Sequence, residues 1–353
     1  MLQVSEPDVS VWRAAIITAL VGTAGGGLFT ALDLPAPWMS GALVATTLWA
    51  LAGRPMAVPD PVRWITFVLL GASMGAALSS DTLAQARNWP ISMACLAASV
   101  VAVIACCMLY FRKVAGWDLA TALYASAPGA LSAVIAMAET TDADMRKVAF
   151  SQGLRMFLLV AALPHLLGMN GHGPVPAMLA VPSAPAAVVG VILASAAAAF
   201  LFARARIPGG MLLGAMTGSA GLHLSGLSDA HLPPVLLIPA FIVLGASVGI
   251  RFQGTQLAVL RSSALAALGG FAVAMAISLG MAVLAAALTG EEAGKMIAAF
   301  APGALETMTA LGFAMGYDPA FMTAHHLFRF AALSVALPLS AHLLFTLSSR
   351  RRR

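Results

Sequence analysis

Long runs of apolar residues, separated by short polar stretches, recur along the whole chain. The six clearest runs cover residues 11–32, 90–111, 148–168, 185–203, 264–289 and 320–347. Each run is close to or above the ~20 residues that a helix needs to cross the hydrocarbon core of a bilayer. The pattern therefore predicts an all-α, polytopic membrane protein.

The pentapeptide Ala-Pro-Gly-Ala-Leu (APGAL) occurs twice, at residues 127–131 and 301–305, and both copies interrupt apolar stretches. Proline lacks a backbone N–H and glycine is conformationally loose, so each motif predicts a helix break. The same offset of 174 residues relates other parts of the chain, among them LGASMG at 70–75 with LGASVG at 244–249, Arg155 with Arg329, and Pro164 with Pro338. These matches predict a tandem duplication.

The duplication divides the chain into four parts. We expect a first membrane repeat at residues 12–168, a linker at 169–184, a second membrane repeat at 185–346 and a basic cytoplasmic tail at 347–353.

Basic residues indicate how the two repeats are oriented. If each APGAL segment turns back inside the membrane, each repeat crosses five times, and 15 of the 19 basic residues lie on one side. If the segment crosses instead, basic residues fall on both sides, which the positive-inside rule disfavours. We therefore predict two inverted-topology repeats, each with about five transmembrane helices plus a broken or re-entrant segment, and both termini in the cytoplasm. A proline kink in a continuous fifth helix is the alternative.

The composition agrees with this interpretation and excludes some functions. Of the 353 residues, 60% are hydrophobic and 9% are charged, whereas soluble domains average about 25% charged residues. The net charge of +5 does not indicate nucleic-acid binding, because the only basic cluster, at 350–353, directly follows the last apolar run. Such a position is typical of a cytoplasmic anchor. We expect no direct contact with nucleic acid.

Two arginines inside predicted spans are the strongest candidates for function. Arg155 and Arg329 each lie about two turns inside an apolar run. An arginine at the centre of a membrane helix costs at least ~2.5 kcal/mol, so it should be paired, hydrated or binding something. A helix that begins after a break also presents free N–H groups, which favour anions. We therefore predict one anion-binding site, formed by Arg155, Arg329, Gly129, Ala130, Gly303 and Ala304. A structural ion pair between Arg329 and Glu306 is the alternative.

Other polar residues near the arginines are candidates for ion coupling. They are Glu306, Ser132, Gln152, His325 and His326. Glu306 is a carboxylate in an apolar setting, which favours proton uptake. The two histidines occupy the repeat positions of Ser151 and Gln152, one turn before the arginines. Because adjacent residues point about 100° apart on a helix, they make a poor chelating pair. We expect no metal site and no cofactor.

The paired motifs resemble those of the AbrB-duplication membrane family. The resemblance rests on Leu-Pro-Ala-Pro-Trp at 34–38 with Gly41, Ile-Pro-Gly-Gly-Met at 207–211, both LGAS motifs and both APGAL motifs. It covers essentially the whole chain and implies a bacterial inner-membrane protein. Members are often labelled transcriptional regulators or ammonia monooxygenases. The chain has no room for a soluble DNA-binding hairpin, and it lacks the histidine-rich site that copper oxygenase chemistry needs.

The arrangement of repeats, breaks and arginines predicts a secondary transporter, not an enzyme. The expected partners are a small anionic solute, a coupling ion (H⁺ or Na⁺) and the lipid bilayer, with a homo-oligomer left open. Two alternatives stay open, namely a membrane regulator that affects gene expression indirectly and a membrane monooxygenase.

Overall fold

The structure is a computed structural model that describes residues 9–78, 86–129, 134, 137–138, 141–168, 183–255 and 257–350. These residues form thirteen α-helices and two short 3₁₀-helices, and they contain no strand. The α-helices are α1 (Val9–Ala31), α2 (Pro37–Leu51), α3 (Asp60–Ala76), α4 (Trp89–Lys113), α5 (Leu119–Ser126), α6 (Met145–Leu166), α7 (Pro185–Arg204), α8 (Gly210–Leu224), α9 (Pro234–Gly249), α10 (Leu257–Thr289), α11 (Ala293–Phe300), α12 (Leu305–Ala314) and α13 (Pro319–Arg350).

Seven helical segments in the described part of the chain are long and apolar enough to cross a membrane. They are Ser10–Ala31, Trp89–Lys113, Met145–Leu166, Pro185–Arg204, Pro234–Phe252, Arg261–Thr289 and Pro319–Leu344. Each of the six apolar runs coincides with one of them, and Pro234–Phe252 adds a seventh. The prediction of an all-α, multi-pass membrane protein is confirmed. Five crossings in each repeat stay a prediction.

The chain forms two compact units, and each unit draws helices from both halves of the sequence. Unit 1 contains Met1–Ser80, Val160–Gly254 and Phe313–Pro319, whereas unit 2 contains Asp81–Leu159, Thr255–Gly312 and Ala320–Arg353. Unit 1 therefore combines α1–α3 with α7–α9. Unit 2 combines α4, α5 and most of α6 with α10–α12 and nearly all of α13. Neither predicted repeat is a compact body by itself.

In unit 1, the LGAS motifs are sites of close helix packing. A Cβ added to Gly71 of α3 would lie 2.6 Å from the carbonyl oxygen of Leu212 in α8. A Cβ added to Gly245 of α9 would collide with the carbonyl oxygen of Met39 in α2. Small residues let membrane helices approach this closely. The two contacts match along the sequence, since Gly71 corresponds to Gly245 and Met39 corresponds to Leu212.

We expect Gly71→Ala and Gly245→Ala to destabilise the protein by about 1–3 kcal/mol each, the usual cost of overpacking a dense interface. Gly190→Ala is the matched control, because Gly190 is exposed on α7 and an added Cβ meets nothing within 4 Å. Thermal unfolding in detergent measures the difference. Equal melting temperatures for all three variants would contradict this interpretation of the LGAS motifs.

In unit 2, α5 is held at its first turn by a network of short contacts. Asp118 accepts a hydrogen bond from the backbone N–H of Thr121 at 2.8 Å, which caps the helix. The hydroxyl of Thr121 in turn accepts from the N–H of Asp144 at 2.8 Å, just before α6. The ring of Trp117 stacks on Phe111 of α4, with ring centroids 4.5 Å apart. These contacts fix the direction in which α5 runs toward the first APGAL motif.

Candidate functional site

Both APGAL motifs end a helix in unit 2. Helix α5 stops at Ser126, and Ala127 is extended, with φ −64° and ψ 121°. Helix α11 stops at Phe300, and Ala301 is extended in the same way, with φ −55° and ψ 128°. The backbone becomes helical again at Leu305 after the second motif. The predicted breaks are confirmed, and a kink within a continuous helix does not describe them. That these segments turn back within the bilayer stays a prediction.

The two breaks touch each other. Gly129 has φ +101°, and a Cβ added to it would lie 3.0 Å from the carbonyl oxygen of Gly303. Only glycine adopts such a backbone conformation without strain. Both glycines are buried. Two lengths of non-helical backbone therefore lie side by side in unit 2.

Each buried arginine holds the carbonyl at the end of the helix that precedes a break. Arg155 on α6 is 6% exposed, and its Nη2 donates to the carbonyl of Ala127 at 2.7 Å. Arg329 on α13 is 3% exposed, and its Nη1 donates to the carbonyl of Ala301. In both cases the acceptor lies 28 residues before the arginine. A cation at a helix C-terminus satisfies free carbonyls and interacts favourably with the helix dipole. The predicted burial of both arginines beside the breaks is confirmed.

The two arginines differ in their remaining donors. Arg329 also donates through Nη2 to the carbonyl of Gly303, so it bridges both sides of the second break. Arg155 instead donates through Nη2 to Oε1 of Gln152 at 3.3 Å, and its buried Nε has no partner among the described residues. Within the same part of the chain, the buried hydroxyl of Ser151 has none either.

Both Arg155 and Ser151 line a cavity of about 10 Å³, together with Cys107 and Gly270. This volume suits about one water molecule. Of the two arginines, Arg155 therefore has a buried N–H donor, at Nε, without an acceptor among the described residues.

Glu306 takes no part in binding Arg329. Its side chain is partly exposed, and within the described residues the terminal nitrogens of Arg329 donate to two backbone carbonyls instead. The alternative of an Arg329–Glu306 ion pair is therefore wrong. The dipoles of two backbone carbonyls solvate this guanidinium, but they leave its net positive charge unbalanced.

Free N–H groups were predicted just before α12, but two N–H groups there have acceptors in the structure. The N–H of Ala304 donates to the sulfur of Met156 at 3.0 Å, and the N–H of Gly303 donates to the carbonyl of Ala301 at 2.8 Å. A thioether sulfur is a weak acceptor. The prediction that the N–H of Ala304 is free is therefore wrong, because this N–H donates to a weak acceptor. Ala130 and Ser132, the corresponding positions of the first break, lie outside the described residues.

The remaining coupling candidates have separate environments. Gln152 donates through Nε2 to the carbonyl of Tyr124 at 3.2 Å, so it supports the last turn of α5. His325 uses both ring nitrogens, bonding the carbonyl of Phe321 at 2.8 Å and the hydroxyl of Ser92 at 2.7 Å. His326 is completely buried, and in the part of the chain that the structure describes neither of its ring nitrogens has a partner. Among the described residues, no three His, Cys, Asp or Glu side chains form a group that could hold a metal ion.

The family described as "Transition state regulatory protein AbrB" matches residues 38–345. The chain belongs to this family. It is 26% identical over 348 residues to "Putative regulator AbrB" of Escherichia coli (strain K12), which covers 96% of this chain and 98% of that protein. It is also 25% identical over 376 residues to "Uncharacterized protein YhjN" of Bacillus subtilis (strain 168), which covers 94% of this chain and 93% of that protein. The family assignment made from the motifs is confirmed.

Two side chains at the site of this AbrB-family protein had no role in the sequence interpretation. Ser92 meets His325 across 233 residues, and Met156 meets Ala304 across 148 residues. Ser151 was noted only as the repeat position of His325. Serine and methionine are common in membrane helices, so composition gave no signal. The repeat offset was the one available clue, because it pairs Ser151 with His325.

Proposed function

We propose that this protein is a secondary transporter of a small anionic solute in the bacterial inner membrane, coupled to H⁺ or Na⁺. The observation that supports it most is the contact between two helix breaks, each with a buried arginine on its preceding carbonyl. Irregular backbone at membrane depth is tolerated only where protein buries it or a cavity receives it. Paired discontinuous helices near the midplane form the binding sites of secondary transporters.

Excess positive charge supports an anionic solute. Arg155 and Arg329 are two buried positive charges at adjoining helix breaks, and in the described part of the chain neither arginine has a carboxylate partner. An anion between the two breaks would balance this charge. It would also find the spare Nε–H of Arg155 and the N–H of Ala304, which has only a sulfur as acceptor. Gly129 and Gly303 would let the anion approach the backbone closely.

We further propose two inverted repeats with ten crossings, re-entrant APGAL segments and cytoplasmic termini. Matched contacts support the duplication, since Gly71 with Leu212 repeats as Gly245 with Met39, and Arg155 with Ala127 repeats as Arg329 with Ala301. The distribution of basic residues supports the orientation.

Cysteines introduced into residues 169–184 should react with a membrane-impermeant maleimide added to intact spheroplasts, because an inverted second repeat requires this linker to lie outside the cytoplasm. Cysteines introduced into residues 347–353 are the control, and we expect them to react only after the membrane is broken. The background is a cysteine-free variant that retains its expression level. A linker that reacts only from the cytoplasmic side would contradict the inverted arrangement.

Solute-dependent stabilisation tests the transport function. Purified protein is heated with a panel of small mono- and dicarboxylates, sulfate and inorganic phosphate, beside neutral and cationic solutes as controls. We expect one anion class to raise the melting temperature in a saturable way and to be accumulated by vesicles that contain the protein. Stabilisation only by cations or neutral solutes would overturn the anion assignment.

The printed name of the Escherichia coli relative favours a second candidate, a membrane regulator that affects gene expression indirectly. A soluble protein that co-purifies through the cytoplasmic loops would support it, whereas direct binding of nucleic acid is not expected. We assign no enzymatic activity and no cofactor, and a membrane monooxygenase remains the weaker alternative. A homo-oligomer is compatible with all of these functions.

A further inference from the structure

His325 lies in a hydrogen-bond chain that links α13 to α4. Its Nδ1 is 2.8 Å from the carbonyl oxygen of Phe321, and its Nε2 is 2.7 Å from Oγ of Ser92. The hydroxyl of Ser92 also lies 2.8 Å from the carbonyl oxygen of Trp89. His325 and Ser92 are both buried, with 0% and 1% of their surface exposed.

All donors and acceptors of this hydrogen-bond chain can be satisfied in two protonation states of His325. A carbonyl oxygen only accepts, so Nδ1 of His325 carries a hydrogen in both states. When the ring is neutral, Nε2 accepts the hydroxyl hydrogen of Ser92. When the ring is protonated, Nε2–H donates to Oγ of Ser92, and the hydroxyl hydrogen turns to the carbonyl of Trp89. The ring can therefore gain or lose a proton without the movement of any heavy atom.

We infer that His325, with Ser92, is the proton-binding site of this protein, and that H⁺ rather than Na⁺ is its coupling ion. The inference rests on the transport function proposed above. A hydronium ion gives one proton to Nε2, so that one O–H bond breaks as the N–H bond forms, and release to water reverses the same step; no bond between heavy atoms changes. A hard cation such as Na⁺ needs several oxygen ligands, whereas the oxygens described at this site are one hydroxyl and two helix carbonyls that already accept hydrogen bonds.

The position of His325 couples it to the arginine at the second break. His325 and Arg329 are four residues apart in α13, so both lie on one face of that helix. A bound anion that offsets the charge of Arg329 would favour the positively charged form of His325. Because such coupling is reciprocal, protonation of His325 would strengthen binding of the anion. The two would move together, as in H⁺–anion symport.

Among the described residues, the charged side chains nearest His325 on neighbouring elements are Lys295 of α11 and Glu291 just before α11. They lie beyond the ring of Phe321, whose centroid is 3.9 Å from that of the His325 ring. They form an ion pair of 2.8 Å with side chains 12% and 19% exposed, and Lys295 Nζ lies 4.1 Å from the centre of the Phe321 ring. On α13 itself, His326 is the next residue in the chain, and Arg329 lies one turn further along. On α4, Ser92 and Trp89 are uncharged.

Nitrogen-15 NMR of histidine-labelled protein in detergent tests the site without any solute. The chain has seven histidines, and the signal of His325 is the one lost in His325→Gln. We expect a neutral ring with its hydrogen on Nδ1 at about pH 8, and reversible protonation of Nε2 on acidification before the protein unfolds. In Ser92→Ala, we expect the same ring to titrate at a different pH. A hydrogen on Nε2 alone at about pH 8, or a ring that stays neutral until acid unfolding, would overturn the inference.

Transport tests the coupling. In vesicles of phosphatidylethanolamine and phosphatidylglycerol, an inside-alkaline pH gradient should drive accumulation of the stabilising anion by the unaltered protein. His325→Gln should lose this accumulation by at least about tenfold while it still exchanges labelled for unlabelled anion. His342→Gln is the matched control, since His342 is exposed on the same helix, and it should behave like the unaltered protein. If His325→Gln misfolds, Ser92→Ala takes its place and should show a weakened response to the pH gradient.

The outcomes separate the two proposals. Accumulation driven by a Na⁺ gradient, or an unchanged pH response in His325→Gln, overturns the inference and leaves anion transport standing. If no anion of the panel is bound or moved, the transport proposal fails, and the NMR titration alone decides whether His325 binds a proton.

Discussion

Arg155→Gln should remove the stabilisation of the protein by its anion while leaving the protein folded, whereas Arg329→Gln should destabilise the fold more strongly. Among the described residues, Arg155 donates to one backbone carbonyl and its Nε–H has no acceptor. Arg329 donates to two carbonyls there, and these bonds bridge the second break. Each bond from a charged donor contributes about 1.5–3 kcal/mol. Loss of one such bond to the anion weakens its binding at least about tenfold.

Melting temperatures with and without the anion measure both effects. Arg261→Gln is the matched control, because Arg261 is exposed on α10, and it should match the unaltered protein in both measurements. Arg329→Lys separates charge from geometry, since a lysine retains the charge but lacks the fork that reaches two carbonyls. It should therefore be less stable than the unaltered protein. If Arg155→Gln and Arg329→Gln both keep the full response to the anion, the anion site is wrong.

Gly129→Ala should disrupt the contact between the two breaks and abolish transport. The backbone at Gly129 has φ +101°, a conformation that alanine avoids, and the added Cβ would press on the carbonyl of Gly303. Backbone strain of this kind costs about 1–3 kcal/mol, and the contact adds to it. We expect a lower melting temperature and no accumulation of the anion.

Gly290→Ala separates the two causes. Gly290 also has a positive φ, of +74°, but an added Cβ there meets nothing within 4 Å. It lies just before α11 and should lose some stability through backbone strain alone, with transport retained. Equal effects of Gly129→Ala and Gly290→Ala on transport would mean that the contact between the breaks has no special role.

Much of this architecture follows from local sequence. The apolar runs coincide with spanning helices because a helix in lipid satisfies its own backbone hydrogen bonds, so length and hydropathy are sufficient to find it. The two APGAL motifs mark real breaks, since the conformations of proline and glycine are local properties. The burial of Arg155 and Arg329 was also predictable, because a charge inside an apolar run is expelled from lipid toward the protein interior.

The partners of these residues were not predictable in the same way. Glu306 was the partner that the sequence offered for Arg329, yet the guanidinium binds the carbonyls of Ala301 and Gly303. Carbonyls are present at every residue and carry no sequence signal. Ser92 and Met156 entered the site only through packing between distant helices.

The sequence by itself therefore determined the class of protein, its family, the places where helices break and the burial of two charges, because each depends on residues within a few turns of one another. Only the tertiary structure decided that each compact unit draws helices from both halves of the chain. It alone brought the two breaks into contact, gave each arginine a carbonyl partner and placed His325 beside Ser92. These contacts join segments up to 233 residues apart, and such pairings are set by how whole helix faces fit together, which no local pattern encodes.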